Sequence, residues 1–423
     1  MAARLADRGL GLAARARPGS GGRGGRVRRA PGDALARGQP GPGPGGAGLV
    51  SALSALGGLV RDVLQTAFRL APWPTATGLR VVGSPGPDSP VLLTANYDFT
   101  VRHVIRALRG CDVWLVVAPA KGINVWCAAG AGHLTTHQVV TALKTSGVAD
   151  RVNHRDVILP QLAATGVEGL QVFRRARWRV RFGPVRAADI PDYLATGGVK
   201  SDAMRRVEFG LRDRLEMAAV WAAPVSLLVG GLTWVFRPVW ALPLALLATI
   251  LAVAVFLVYD QLPGPRQLLL GAGGALASVA VVAVAGGGLP ALAAALLAPF
   301  ALVALLTFDY AGSTPTEGSG GFDGQDWKIR LDPERCEGVY SCFEVCPEAV
   351  YEKHEGSRRV ELAHDERCVR CGACVVQCPK DALFFEDGQG GRIEPATIRQ
   401  FKLNLAGKRT VAVPPPPEEQ KSA

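Results

Sequence analysis

Residues 217–236, 239–259, 268–285 and 289–308 are apolar and free of charge, and each run is about 20 residues long, enough for a helix to cross roughly 30 Å of hydrocarbon. This predicts four transmembrane helices. The links Phe236-Arg237-Pro238 and Gly286-Gly287-Gly288 are so short that the helices must form hairpins. Small residues Gly271, Gly274, Ala275 and Ser278 predict close helix packing. Ahead of the spans, residues 78–200 alternate short apolar runs with amphipathic ones. Strands are expected at 91–94, 112–117, 157–159, 170–173 and 178–182, and helices at 100–108, 138–145 and 190–195. Such alternation predicts an α/β domain on a mainly parallel sheet, with ligands beyond the carboxyl ends of the strands. Residues 49–70 have a helical apolar stripe, but Arg61, Asp62 and Arg69 argue against a span.

Charge changes the picture at both ends of this block. The net charge of +11 invites a nucleic-acid reading, yet residues 1–47 hold nine Arg against two Asp, +7 of that total. A basic tail, not a basic binding face, sets the balance, and nucleic acid is discounted. That tail has almost no periodic apolar pattern and is expected to be disordered. Lys200, Arg205, Arg206, Arg212 and Arg214 precede the first span and place that side in the cytoplasm. An even number of spans returns the C-terminus to the same side, so the chain is expected in the cytoplasmic membrane with both soluble domains inside.

Seven of the nine cysteines lie between Cys336 and Cys378, which reads as a metal site in a reducing compartment and not as a disulfide framework. Cys368-x2-Cys371-x2-Cys374-x3-Cys378-Pro379 is a bacterial dicluster ferredoxin motif, in which the fourth cysteine serves the other motif's cluster. Cys346, Cys368, Cys371 and Cys374 are therefore expected around one [4Fe-4S] cluster. The partner motif is Cys336-x5-Cys342-x3-Cys346, with Val339 where a second cysteine normally stands. Cys336, Cys342 and Cys378 remain, which suits a [3Fe-4S] cluster or an incompletely ligated [4Fe-4S] cluster; the three-iron form is favoured.

The stretch Gly122-Ile123-Asn124-Val125-Trp126-Cys127-Ala128-Ala129-Gly130 follows a buried-strand pattern. Asn124 is a good helix cap. Cys127 then falls in the first helical turn, where free N–H groups and the helix dipole lower a thiol pKa, making it a candidate thiolate ligand or nucleophile. Against this, free cysteine is among the most buried residue types, and packing is the plain alternative. Trp126 is expected to pack beneath the helix. His133-x3-His137 would make a metal site only if both histidines shared a helical face, and Thr135 or Thr136 looks like a cap that separates them.

This stretch resembles the cap-helix motif of the corrinoid protein of microbial mercury methylation, a relative of the methyl-carrying corrinoid iron-sulfur proteins. The resemblance extends through Asn153-His154-Arg155-Asp156-Val157-Ile158-Leu159-Pro160-Gln161-Leu162, Gly183-Pro184-Val185-Arg186-Ala187-Ala188-Asp189-Ile190-Pro191 and Pro90-Val91-Leu92-Leu93-Thr94-Ala95-Asn96-Tyr97. Residues 397–409 resemble the end of the ferredoxin encoded beside that protein, so the chain looks like both partners fused. The resemblance implies a multidomain chain. Its parts are an α/β, Rossmann-like corrinoid-binding domain at 78–210, a four-helix transmembrane domain at 217–308 and an α+β bacterial dicluster ferredoxin domain at 327–410. A tail at 1–47, a helix and linker at 48–77, a tether at 309–326 and a second tail at 411–423 complete it.

What the resemblance implies chemically is a cobalamin-type corrinoid approached from its lower face by Cys127, with Asn124 fixing the cap helix and residues 124–130 forming the site. Thr94, Asn96 and Lys121 are further cofactor contacts. Methyl transfer to a soft electrophile such as Hg(II), reduction by the fused ferredoxin, a methyl donor protein or methylfolate-type donor, and an electron donor to the clusters follow from it. The sequence departs from the family pattern in two places: Ala131 stands where the family has Lys, and the C-terminus lacks a cysteine pair. Methyl transfer survives these departures better than mercury delivery. The rival reading is a membrane-bound iron-sulfur electron-transfer protein that binds no corrinoid.

Overall fold

The computed structural model describes residues 47–308, 327–354 and 356–401. The basic tail before residue 47, the 309–326 tether, the 402–410 end of the ferredoxin region and the 411–423 tail lie outside the described residues. The chain divides into two compact units, Met1–Leu56 and Gly57–Ala423, and every strand lies in the second.

After helix α1 (Ala47–Ala67) comes a five-stranded sheet built from β1 (Gly78–Val82), β2 (Val91–Ala95), β3 (Val113–Ala118), β4 (Asp156–Leu159) and β5 (Arg179–Phe182), in the order β1-β3-β2-β4-β5. β1 runs antiparallel to β3, and the other pairs are parallel. β2 and β3 are buried at every position, as expected of strands covered on both faces. Helices α2 (Asp98–Ala107), α3 (Val125–Gly130), α4 (Thr136–Thr145), α5 (Gly169–Ala176), α6 (Ile190–Ala195) and α7 (Asp202–Arg205) complete this part. The connection from β2 goes to β3 on one side, and the chain then crosses to β4 on the other. That reversal makes the carboxyl ends of β2 and β4 the topological switch point.

One expected element is wrong. Residues 170–173 are not a strand: they lie in α5, which ends at Arg177 in the left-handed region, φ 61°. Val172 is the one fully buried residue of that helix, while Leu170 and Phe173 are exposed, so the apolar run winds around a helix with one side chain turned inward and is not a strand.

The apolar runs form α8 (Leu211–Phe236), α9 (Pro238–Val258), α10 (Arg266–Val284) and α11 (Leu289–Thr307), four helices long and apolar enough to cross a membrane. Leu251, Ala252, Val255, Phe256, Val303 and Leu306 form their inner core, while Leu227, Leu228, Leu232, Leu242 and Leu276 face outward. At one end Arg214 clamps Asp260 through two bonds of 2.8 and 2.6 Å. Gly271, Gly274, Ala275 and Ser278 are buried in α10. A Cβ on Gly271 would stand 2.3 Å from the Phe300 ring. Gly271→Ala should therefore destabilise the α10–α11 pair by about 1–3 kcal/mol, the usual range for overpacking. Thermal unfolding in detergent checks this; an unchanged midpoint would mean that the ring moves aside freely.

The last part holds an antiparallel sheet of β6 (Lys328–Leu331), β9 (Leu383–Glu386) and β10 (Arg392–Ile393), a hairpin of β7 (Tyr351–Lys353) and β8 (Val360–Leu362), and two short helices, Ser341–Val345 and Ala373–Gln377. Trp327, Ile329, Val350, Tyr351, Phe385 and Ile393 form its core together with cysteine side chains.

Candidate functional site

The loop after β3 is held by Asn96. Its Oδ1 accepts from the N–H groups of Ala120 (2.8 Å) and Gly122 (3.0 Å), and its Nδ2 donates to the Thr75 carbonyl (3.3 Å). These bonds fix Lys121 and Gly122 in left-handed conformations, φ 55° and 68°. Gly122 is required here, because a Cβ would lie 2.3 Å from the Pro74 nitrogen. Asn96 is thus spent on the loop and Lys121 is exposed, and neither lines the cavity at the switch point. Both are expected as cofactor contacts; the Asn96 side chain also positions the loop.

Asn124 caps α3, its Oδ1 accepting from Cys127 N at 2.9 Å. Val125, Ala128 and Ala129 are buried beneath the helix, while Gly130 is half-buried. A 3-10 turn, Gln161–Thr165, presses on that inner side so closely that a Cβ on the adjoining Gly166 would stand 2.6 Å from the Ala129 carbonyl oxygen. Cys127 is exposed, so the packing alternative does not describe it. The expected lowering of its pKa is not found. Desolvation by its surroundings pushes the Cys127 thiol up, and the nearby Arg69 guanidinium and the Asn124 side chain do not reverse it. The Asn124 cap already occupies the amide that would otherwise face an anion. Arg69 is itself engaged, donating to Glu216 Oε2 at 3.1 Å.

Beside α3 opens a cavity of about 450 Å³ at the switch point. Thr94 from the end of β2, Pro160 after β4, Pro184 after β5 and Asn124, Val125 and Trp126 of the cap segment line it. Trp126 is a half-buried wall of the cavity and is not packed beneath the helix as expected. Cys127 adjoins Trp126 but is not among the lining residues. The Thr94 Oγ1 is buried, has no hydrogen-bond partner, and belongs to a residue that lines the cavity. Arg212 and Glu216, at the start of α8, form part of the wall, as do Phe99 and His103 of α2, stacked with ring centroids 4.0 Å apart. Sequence reasoning misses these four: Arg212 reads only as a topology signal, and nothing in the sequence links it to Thr94. His133 and His137 are separated as expected by the Thr135 cap, whose box with Gln138 starts α4.

The cysteines gather in two groups. Cys336, Cys342 and Cys378 line one small void together with Val339, and Cys346, Cys368, Cys371 and Cys374 line a second. Among the described residues no three His, Cys, Asp or Glu side chains converge on a point that would hold a lone ion. Burial pushes the Cys342 and Cys371 thiols up to about 12. Glu348, beside Cys346 and Cys371, is pushed up to about 8 by the same effect, which keeps negative charge away from the four-cysteine group.

That group abuts the 3-10 turn. Cys371, Val369 and Ala373 pack on Ala164, and Gln377 Nε2 donates to the carbonyls of Ala164 (2.7 Å) and Val167 (2.6 Å). Lys200 Nζ donates to Gln161 Oε1 at 2.9 Å and to the Glu344 carbonyl. Burial lowers the Lys200 pKa to about 8 from 10.5, despite Glu344 and worsened by Arg205. Between these values the unfolded chain binds more protons than the folded one, so stability should rise as pH increases through that window, by at most about 3 kcal/mol. Denaturation midpoints at about pH 7.5 and about pH 10 should show the rise in the native chain and not in Lys200→Met. An equal rise in both would assign it elsewhere.

Two stretches of the chain match known protein families. Residues 60–194 match the family described as CO dehydrogenase/acetyl-CoA synthase delta subunit, and residues 328–392 match the 4Fe-4S dicluster domain. The chain thus joins a domain of the first kind to a dicluster domain, with four apolar helices between them. Its relatives include the acetyl-CoA decarbonylase/synthase complex subunit gamma of Archaeoglobus fulgidus, 32% identical over 28% of this chain and 25% of that protein. The subunit of the same name from Methanosarcina acetivorans is 36% identical over 28% and 25%. The chain spans about a quarter of the length of these curated relatives.

Proposed function

We propose that this chain is a membrane-anchored corrinoid methyl-transfer protein whose own dicluster domain delivers the reducing electrons. The observation that carries the reading is the cavity at the switch point, with an unpartnered Thr94 Oγ1 in its lining and the cap helix at its edge. An unpartnered buried hydroxyl suits a ligand bearing polar groups, and the broad Trp126 and proline walls suit a large ring, so the residues fit a corrinoid. The cysteine thiols around the two voids fit iron-sulfur clusters, four for a [4Fe-4S] cluster and three for a [3Fe-4S] cluster or an incompletely ligated [4Fe-4S] cluster.

A bound corrinoid would carry the methyl group, and bound clusters would pass single electrons. The chain's residues do the rest. Thr94 Oγ1 is placed to hydrogen-bond the ligand, and Trp126 and Pro160 wall it in. Cys127, next to Trp126 in the chain, acts as the thiolate, with Arg69 favouring the ionised form. The 3-10 turn touches both the cap helix and the four-cysteine group, so Cys346, Cys368, Cys371 and Cys374 would hold the cluster that adjoins the cap side, and Cys336, Cys342 and Cys378 the other. The acceptor is a soft electrophile, with Hg(II) as one candidate. Ala131, where the resembled family has Lys, leaves thiols as the other.

The test is to purify the full chain, load it with cobalamin, and assay methyl transfer to Hg(II) and to thiols. A corrinoid spectrum that is perturbed on binding and weakened in Thr94→Val is expected. A chain that carries its iron but leaves the cobalamin spectrum unchanged would instead be an electron carrier alone.

A further inference from the structure

Helix α1 is turned inside out between Gly57 and Ala67. An amphipathic helix on a soluble domain buries its apolar stripe; this one buries polar groups. Gln65 is fully buried, its Nε2 donating to Asp98 Oδ2 at 2.9 Å and its carbonyl accepting from the Tyr97 hydroxyl at 3.1 Å. Asp62 accepts from Arg102 and, at 3.3 Å, from Arg106. On the other side Leu59, Val60, Val63 and Leu64 are 60, 50, 59 and 45% exposed. Spacings of one, four and five residues put all four on one helical face. The helix is therefore held to the α/β part by its polar side, and its apolar side is presented outward.

Two observations name what covers that face. First, Arg69, two residues past the end of α1, donates to Glu216 Oε2 at 3.1 Å, and Glu216 is the last charged residue before the apolar length of α8. The end of α1 is thereby pinned to the point where the first span enters the hydrocarbon. Second, the residues preceding α1 in the sequence carry nine Arg against two Asp, which suits an anionic headgroup layer. The structure thus assigns α1 to the membrane surface. It lies in the plane of the interface with Leu59, Val60, Val63 and Leu64 sunk among the headgroups and upper acyl chains, as an amphipathic helix with an outward apolar face does. The assignment goes beyond the methyl-transfer reading and rests on α8–α11 spanning the bilayer. It seats the α/β part on the lipid, with the cavity wall formed by Arg212 and Glu216 at headgroup level.

A fluorescent non-natural amino acid placed at Val63, at Leu276 in α10, or at exposed Arg174, in the full chain, reports on this directly. Each variant goes into nanodiscs of phosphatidylcholine with phosphatidylglycerol, doped with lipids carrying a doxyl quencher either shallow or deep. The Val63 probe should lose about half its emission to the shallow quencher and less to the deep one, as interfacial burial requires. The Leu276 probe should respond most to the deep quencher, and the Arg174 probe to neither. An unquenched Val63 beside a quenched Leu276 overturns the assignment while leaving the spans intact, and shifts the cover to residues 1–46 or a second copy. Neither quenched would overturn the spanning reading and the surface helix with it.

Discussion

Alanine in place of Cys127 is expected to slow methyl transfer by the cobalamin-loaded chain on the order of 100-fold, about 2.7 kcal/mol in the barrier, with little change in cobalamin uptake. The split follows from geometry, since Thr94, Trp126 and Pro160 line the cavity whereas Cys127, next to Trp126 in the chain, is not among its lining residues. Because desolvation pushes the thiol up, only a small fraction is ionised near neutrality. The native rate should keep rising with pH through the ordinary thiol range as that fraction grows, and the alanine variant should lose this dependence. Single-turnover transfer measured across pH reads both effects. A flat native profile, or a variant as fast as the native chain, would remove the sulfur from the reaction.

On the proposal that Cys336, Cys342 and Cys378 hold a three-iron cluster, Val339→Cys should add about one iron per chain by supplying a fourth thiol, and the EPR of the oxidised variant should lack a three-iron signal that the native chain gives. Val339 already lines that void with Cys336, Cys342 and Cys378 and is 52% exposed, so the new sulfur needs no room made for it. Iron and sulfide analysis with EPR decides the outcome. Unchanged iron with two equivalent signals in both proteins would mean that a fourth iron is already held by some other ligand.

Elements whose signals are local can be read from the chain. Asn124 as a cap, Thr135 with Gln138 as a box, the charge-free runs of α8–α11 and the cysteine spacings each act within a few residues. Residues 170–173 are not legible, because a short apolar run fits a strand or a helix, and only the packing of Val172 and the left-handed Arg177 decide between them. Thr94 is found through resemblance. Asn96 belongs to the same stretch, but its side chain is committed to amides more than twenty residues away, a pairing that no local pattern encodes. Phe99, His103, Arg212 and Glu216 come to the cavity from elements that only the fold brings together. The sign of the Cys127 shift escapes the sequence for a related reason: position in a helix is local, but desolvation depends on everything packed around the sulfur.

The turn Gln161–Thr165 is wedged between the cap helix and Cys371, with Gln377 and Lys200 bolting the joint. Under the proposed function, reduction at the cap helix would involve no collision between two proteins: it would be first-order and indifferent to dilution, whereas a pair of separate proteins would slow on dilution.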